Sequence, residues 1–216
     1  MRNRVRQTLL IVLQLAVFFS GRSVQAADLS QQFITAKLAS GVSISLPVNW
    51  KVISGNDTLA LKTATGAALD LSGYARTAAG VDTILSANFP DPELYSSVTI
   101  TLLRMVGIKP TTGSSFSNAD LQSIESQLRK GLEAVTLRLG EKIIRFSLLI
   151  KEKIGEYSIL HITYTRTSDN GETLVHMYKF FGTGKVYDIV ISSRLAMQKL
   201  NQPVLQKMVQ SVVIAP

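Results

Sequence analysis

From Lys142 to Ser192 the chain alternates apolar and polar residues with a period of two, broken only at short turn-forming stretches. Ile143 to Ile150, Tyr157 to Arg166, Glu172 to Phe181 and Lys185 to Ser192 read as four strands in series. The connections carry turn chemistry: Ile154-Gly155-Glu156, Ser168-Asp169-Asn170-Gly171 and Gly182-Thr183-Gly184. Loops this short join antiparallel neighbours, so the block predicts a meander. Because alternate residues face opposite sides of a sheet, other parts of the chain must cover at least one of its faces.

Two segments have the pattern for that task. Ser117 is a good N-cap, Asp120 stands three residues on, and Leu121, Ile124, Leu128, Leu132, Val135 and Leu139 recur at spacings of three and four up to Gly140. This predicts one long amphipathic helix packed on the sheet. A second helix is predicted from about Leu195 to Gln210, with Pro203 compatible only with a start near Asn201, because a proline belongs in the first turn. Upstream, residues 32 to 46 alternate with a break at Gly41 and predict two short strands or one bent one, with Trp50 just beyond Pro47. Thr58 to Thr63 and Ala67 to Gly73 are further strand candidates, and Ser97 to Met105 reads as a strand of the central sheet. Between them Ala75 to Tyr95 is ambiguous: Val81, Ile84 and Leu85 suit a short helix, and Phe89-Pro90-Asp91-Pro92 a rigid loop. The segment is taken as a variable insert at about 75–95. The resulting architecture is α+β: an antiparallel β-sheet with a long amphipathic helix and a C-terminal helix packed on it.

The N-terminus has a different character. Arg2, Arg4 and Arg6 precede the apolar run Leu9 to Phe19, and Val24-Gln25-Ala26 places small residues at the positions a signal peptidase reads. Residues 1–26 are therefore expected to be a signal peptide cleaved after Ala26, leaving residues 27–216 as one domain in the periplasm or outside the cell. The apolar run is shorter than the roughly 20 residues a membrane-spanning helix needs. The leader also explains much of the charge. The formal net charge is +8, from 23 basic and 15 acidic residues; four of those arginines and none of the acids lie before residue 27, so the remainder carries +4. With Arg129-Lys130 as its longest basic cluster, the chain is not expected to bind nucleic acid.

Composition removes several chemistries. The 216 residues contain no cysteine, which excludes disulfides, thiol catalysis, cysteine-ligated metals and a lipidated-cysteine anchor, and there are only two histidines, His161 and His176. If Asn170-Gly171 forms the two-residue turn, Asp169 pairs with Glu172, His161 faces Phe180 and His176 faces Thr165, which holds the imidazoles several pairs apart. They are expected to be ordinary sheet residues and not metal ligands. No G-x-S-x-G elbow occurs, and Ser114 and Ser115 have the wrong flanks. Asp91, Glu93, Asp120 and Glu125 are the carboxylates whose convergence would suit a hydrolase, though loop solvation and helix capping explain each of them. No catalytic residue, metal or cofactor is expected. Trp50, Phe89 and Tyr95, at strand ends or in loops, form the candidate partner surface.

The strand ending Ile44-Ser45-Leu46-Pro47-Val48-Asn49-Trp50, the Ser97-Val98-Thr99-Ile100 strand, the single long helix, the late meander and the closing helix before Ser211-Val212-Val213-Ile214 together resemble the PsbP-like fold. That fold includes the photosystem II protein PsbP, Ran-binding Mog proteins and DcrB-type bacterial envelope proteins. The resemblance covers most of residues 40 to 214 and implies binding, chaperone or assembly-accessory work rather than catalysis. It carries no shared site residues. It implies a bacterial envelope protein acting through a protein partner; a small-ligand or lipid carrier and an envelope hydrolase are the alternatives.

Overall fold

The computed structural model describes residues 32–38, 40–52, 81–91, 94–168 and 171–215. Residues 1–26, expected as a signal peptide, and the strand candidates Thr58–Thr63 and Ala67–Gly73 lie outside the described residues. Among the described residues eleven strands and three α-helices follow in order.

β1 (Phe33–Lys37) and β2 (Val42–Pro47) form the hairpin expected around Gly41 and pair antiparallel from Phe33 opposite Pro47 to Lys37 opposite Ser43. Val42, Ile44 and Leu46 are buried on one face, as the alternation requires. The short C-terminal strand β11 (Val213–Ile214) pairs with the other edge of β2, making a three-stranded sheet. Its backbone is held by the Tyr157 hydroxyl, which accepts from Ile214 N at 2.9 Å and donates to Ile214 O at 3.3 Å.

The main sheet is antiparallel, with order β3-β4-β5-β10-β9-β8-β6. Its members are β3 (Lys51–Val52), β4 (Val81–Asn88), β5 (Ser96–Arg104), β6 (Ile143–Phe146), β8 (Tyr157–Arg166), β9 (Thr173–Gly182) and β10 (Lys185–Arg194). β7 (Ile150–Ile154) pairs with β8 beside β6. The expected first strand of the meander is thus two pieces, β6 against the C-terminal half of β8 and β7 against its N-terminal half.

One expectation is corrected outright. Val81, Ile84 and Leu85 do not sit on a helix, and residues 81–88 of the expected variable insert are not a loop. They belong to β4, an interior strand between β3 and β5, where Leu85 and Ala87 are buried in the core. A register shift between Thr83 and Leu85 disturbs the strict alternation that would have marked a strand.

The two faces of the sheet carry separate cores. One contains Val98, Ile100, Ile159, Phe180, Tyr187, Ile189 and Ile191, and is covered by the small sheet and by α3 (Gln198–Gln210) through Leu205, Met208 and Val209. The other contains Leu103, Leu160, Ile162, Phe181 and Val186 under α2 (Asn118–Arg138), which contributes Leu128, with Leu121 and Ile124 at the margin. Ser117 and Asp120 close a capping box at the start of α2, and Gly140, at φ +74°, follows its end. α3 starts earlier than the proline rule suggested. A single 3-10 turn, Leu195–Met197, leads into Gln198, and Pro203 stands inside the helix. Pro203 and Lys199 are both exposed, so water can take the Lys199 carbonyl that the proline cannot serve.

α1 (Thr112–Ser115) is one helical turn pressed onto β8 and β9. The hydroxyls of Ser114 and Ser115 are used inside it, donating to the carbonyls of Thr111 and Thr112. A Cβ on Gly113 would come within 2.1 Å of the Ser158 carbonyl oxygen, so this contact requires glycine for lack of space. Gly155, at φ +58°, has open space around its Cβ and requires glycine for its backbone instead. Gly113→Ala is expected to destabilise the fold by about 1–3 kcal/mol through overpacking, and Gly155→Ala by about 1 kcal/mol through left-handed strain. Urea denaturation of the two variants measures both losses, and equal midpoints for Gly113→Ala and the parent chain would refute the packing account.

Candidate functional site

The sequence-predicted partner surface is not assembled as an exposed aromatic patch. Trp50 is 8% exposed and belongs to the core; its backbone N–H closes a turn on the Pro47 carbonyl. Phe89 packs against the same core, and Tyr95 is half-buried with its hydroxyl 3.1 Å from Ser97 Oγ. The apolar side chains that do face solvent here are the flanking Val48 and Val52, at 53% and 55% exposure.

The polar cluster lies elsewhere, on the sheet face under α3, and the expected hairpin register hid it. Ser168 and Gly171 exchange both backbone hydrogen bonds, at 3.0 and 2.9 Å, so they are the rung that closes the hairpin. The centre of the turn is one residue earlier than Asn170-Gly171, and Gly171, at φ +91°, follows the loop. Moving the centre by one residue moves the partner by two. His161 therefore stands opposite Tyr178 and His176 opposite Thr163. The expected separation of the two histidines is corrected: they are diagonal neighbours on one face, with His161 Nε2 3.1 Å from His176 Nδ1.

A third strand completes the cluster. Glu152 on β7 accepts a hydrogen bond from His161 Nδ1 at 2.9 Å. The two imidazole planes lie within 18° of each other, with centroids 5.4 Å apart, little more than the nitrogen–nitrogen distance plus the two ring radii. The nitrogens meet head-on in a shared plane, as a hydrogen bond requires and as chelation of one ion by both would not. Tyr178 stacks on His161 with centroids 4.2 Å apart and a 13° interplanar angle. Among the described residues no group of three His, Cys, Asp or Glu could hold a metal ion.

The network assigns the protons. Carboxylate oxygens only accept, so His161 carries hydrogen on Nδ1; when neutral it offers a bare Nε2, and His176 must donate from its own Nδ1. The remaining His176 Nε2 is then an acceptor without a partner among the described residues. Burial lowers the His161 pKa, against the opposing pull of Glu152. Burial, reinforced by His161, pushes His176 down to about 4. Burial, with Glu152 adding to it, raises Tyr178 to about 12. At neutral pH the cluster is Glu152 carboxylate, two neutral imidazoles and a neutral phenol. One added proton can be accommodated on His161 between Glu152 and His176; a second would set two imidazoliums 3.1 Å apart.

The cluster lines a cleft of about 210 Å³ between the sheet and α3, with Ser193, Gln198, Gln202 and Gln206 among its walls. Of the carboxylates considered for hydrolysis, Asp120 is engaged in the helix cap and Glu125 accepts from Leu149 N at 2.8 Å, while Glu93 lies outside the described residues.

A pH dependence follows from the histidines. Above pH ~6.5 His176 is neutral in both folded and unfolded chains, and it adds no slope. As pH falls from there toward about 4, the unfolded chain binds a proton that the folded chain excludes, so stability decreases. His176→Gln is expected to flatten this decline, by up to roughly 1.4 kcal/mol per pH unit for one proton, in urea midpoints measured from pH 4 to 8. Parallel curves for the two chains would show that His176 is not held neutral.

No family model matches the chain, and no curated protein does. Solved structures do. The cyanobacterial PsbP protein CyanoP of Synechocystis aligns with a TM-score of 0.51 at 11% identity over 90% of this chain and 98% of that one. LpqN of Mycobacterium tuberculosis, described as involved in cell envelope biogenesis, aligns at 0.47 and 10% identity over 87% and 92%. PA94 of Pseudomonas aeruginosa aligns at 0.40 and 11% identity over 86% and 99%. Strand order, the two helical covers and the alignment with CyanoP agree with the sequence resemblance: the chain has a PsbP-like fold.

Proposed function

We propose that the chain is an exported, non-enzymatic accessory or binding protein of the bacterial envelope that acts through a protein partner. The observation that carries this reading is the pairing of a three-part secretory leader with the PsbP-like fold, whose members are mostly binding and assembly proteins. Fold alone does not define an activity, so the partner-facing residues have to come from the surface. Val48 and Val52 are the exposed apolar pair beside the buried Trp50, and they replace the aromatic trio as the contact surface to test. Among the described residues no helix is long and apolar enough to cross a membrane. The lipid-carrier alternative gains little from the cleft on α3, because beside Leu174, Ile191 and Leu205 it carries His161, His176, Tyr178, Glu152 and three glutamines, whose polar groups an acyl chain would leave without partners.

A photo-crosslinking residue at position 48 or 52, in the full chain expressed with its leader, tests the reading. The expected product is one stoichiometric protein adduct in the envelope fraction, on a chain beginning at Ala27, and it is expected to disappear with Val48→Lys plus Val52→Lys. Retention in the cytoplasm with an intact N-terminus would refute export. Repeated recovery of a co-purifying lipid and no protein would refute the partner.

A further inference from the structure

The cleft at the histidine cluster is one section of a longer groove. Toward the far end of β8 it continues into a section of about 250 Å³ that shares Leu174 and Gln198 with it. Toward the β7–β8 turn it continues into one of about 360 Å³ that shares Glu152, Tyr178 and Gln206. The wall contributed by α3 carries a ladder of glutamines, Gln198, Gln202, Gln206 and Gln210, each four residues after the last, beside the apolar Leu205 and Val209. Residues four apart share a helix face, so the ladder presents carboxamides along about 18 Å. The facing wall carries the Tyr178 hydroxyl, 3.5 Å from His176 Nδ1, and the His176 Nε2, which has no partner among the described residues.

The chemistry of this lining is selective. The central section has no lysine or arginine to meet a phosphate or carboxylate, while the flanking sections hold one cation each, Arg145 with Glu172 and Lys153 with Glu152. Its one carboxylate, Glu152, is bonded to the neutral His161 through one oxygen and keeps its charge, so it too can accept from a hydroxyl. The other polar groups of the central section are neutral, most of them able both to donate and to accept. Carboxamides and the phenol do both, and His176 Nε2 accepts. Hydroxyl groups are the ligand chemistry that satisfies all of these at once, since each also donates and accepts. Leu174, Leu205 and Ile191 give the same section an apolar floor, suited to the C–H face of a sugar ring.

We propose that the groove between α3 and the β7–β8–β9 face is a binding site for an uncharged oligosaccharide, with Gln202, Gln206 and His176 as its hydrogen-bonding residues. The site lies on a different surface from Val48 and Val52 and does not depend on the partner reading. An extended peptide is the competing occupant. It is disfavoured because the groove offers a polar ladder without separate apolar pockets for alternate side chains.

The test is titration of the isotope-labelled chain with chitotriose, maltotriose and cellotriose, with a Gly-Ser tetrapeptide as comparator. At least one trisaccharide is expected to shift the side-chain amides of Gln198, Gln202 and Gln206 together with the His176 and Tyr178 rings. Gln202→Ala and Gln206→Ala, both at exposed helix positions, are each expected to weaken that binding about fivefold with an unchanged melting temperature, the loss of one net hydrogen bond. The proposal is overturned if no trisaccharide moves these resonances at millimolar concentration. It is equally overturned if the two substitutions leave affinity unchanged, or if the tetrapeptide shifts the same groups more strongly.

Discussion

The pairing of β8 with β9 is the constraint on which the rest of the sheet depends. Ser168 and Gly171 close the hairpin, and from that rung every partner follows: Tyr164 opposite Val175, Ile162 opposite Met177, Leu160 opposite Lys179. Those residues face α2, while His161, Ile159, His176, Tyr178 and Phe180 face α3 and the small sheet. A slip of one residue would exchange the two sets and expose a core on each side. A slip of two keeps the faces but separates the histidines. The polar cluster is therefore a direct product of this one register.

Central burial puts unusual demands on β9 and β10. Lys179 and Asp188 stand opposite each other in adjacent interior strands, both nearly inaccessible, with Nζ and Oδ1 2.5 Å apart. Removing one partner of such a pair strands the other charge in a dry environment, at a cost of about 3–5 kcal/mol, whereas replacing both with apolar residues is often neutral. The pair thus ties β9 to β10 in a stated register and contributes less to net stability than its short distance suggests. On the opposite face the closure is gentler. Tyr157 and Tyr187 reach from the main sheet to backbone carbonyls at Ile214 and Ser40, joining the two sheets by hydrogen bonds around an apolar centre.

Most of the elements were legible because their signals are local. A capping box, a stripe at spacings of three and four, and glycine at a positive-φ position belong to short windows, and each appears where the windows placed it. The misses share a cause too. β4 was obscured by a bulge at Thr83–Leu85 and by neighbouring prolines, and only its place between β3 and β5 makes it a strand. Pro203 was taken as a helix boundary, yet α3 carries it on its exposed side. The Ser-Asp-Asn-Gly turn offered two centres differing by one residue, and Asn-Gly is the stronger local hairpin signal. Packing of the strands on both sides of the sheet selected the other.

The sequence by itself determined the class of fold, the meander, the long capped helix and the leader pattern, since periodicity, caps and composition act over a few residues at a time. Tertiary structure decided which residues meet. Glu152, His161 and His176 come from three strands, and the glutamine ladder that faces them comes from a helix after the last strand of the meander. Their convergence depends on a non-local register and on how α3 docks, and both are settled by burying apolar surface on two faces of one sheet. A pattern read along the chain carries the first kind of information in full and the second only as a set of alternatives.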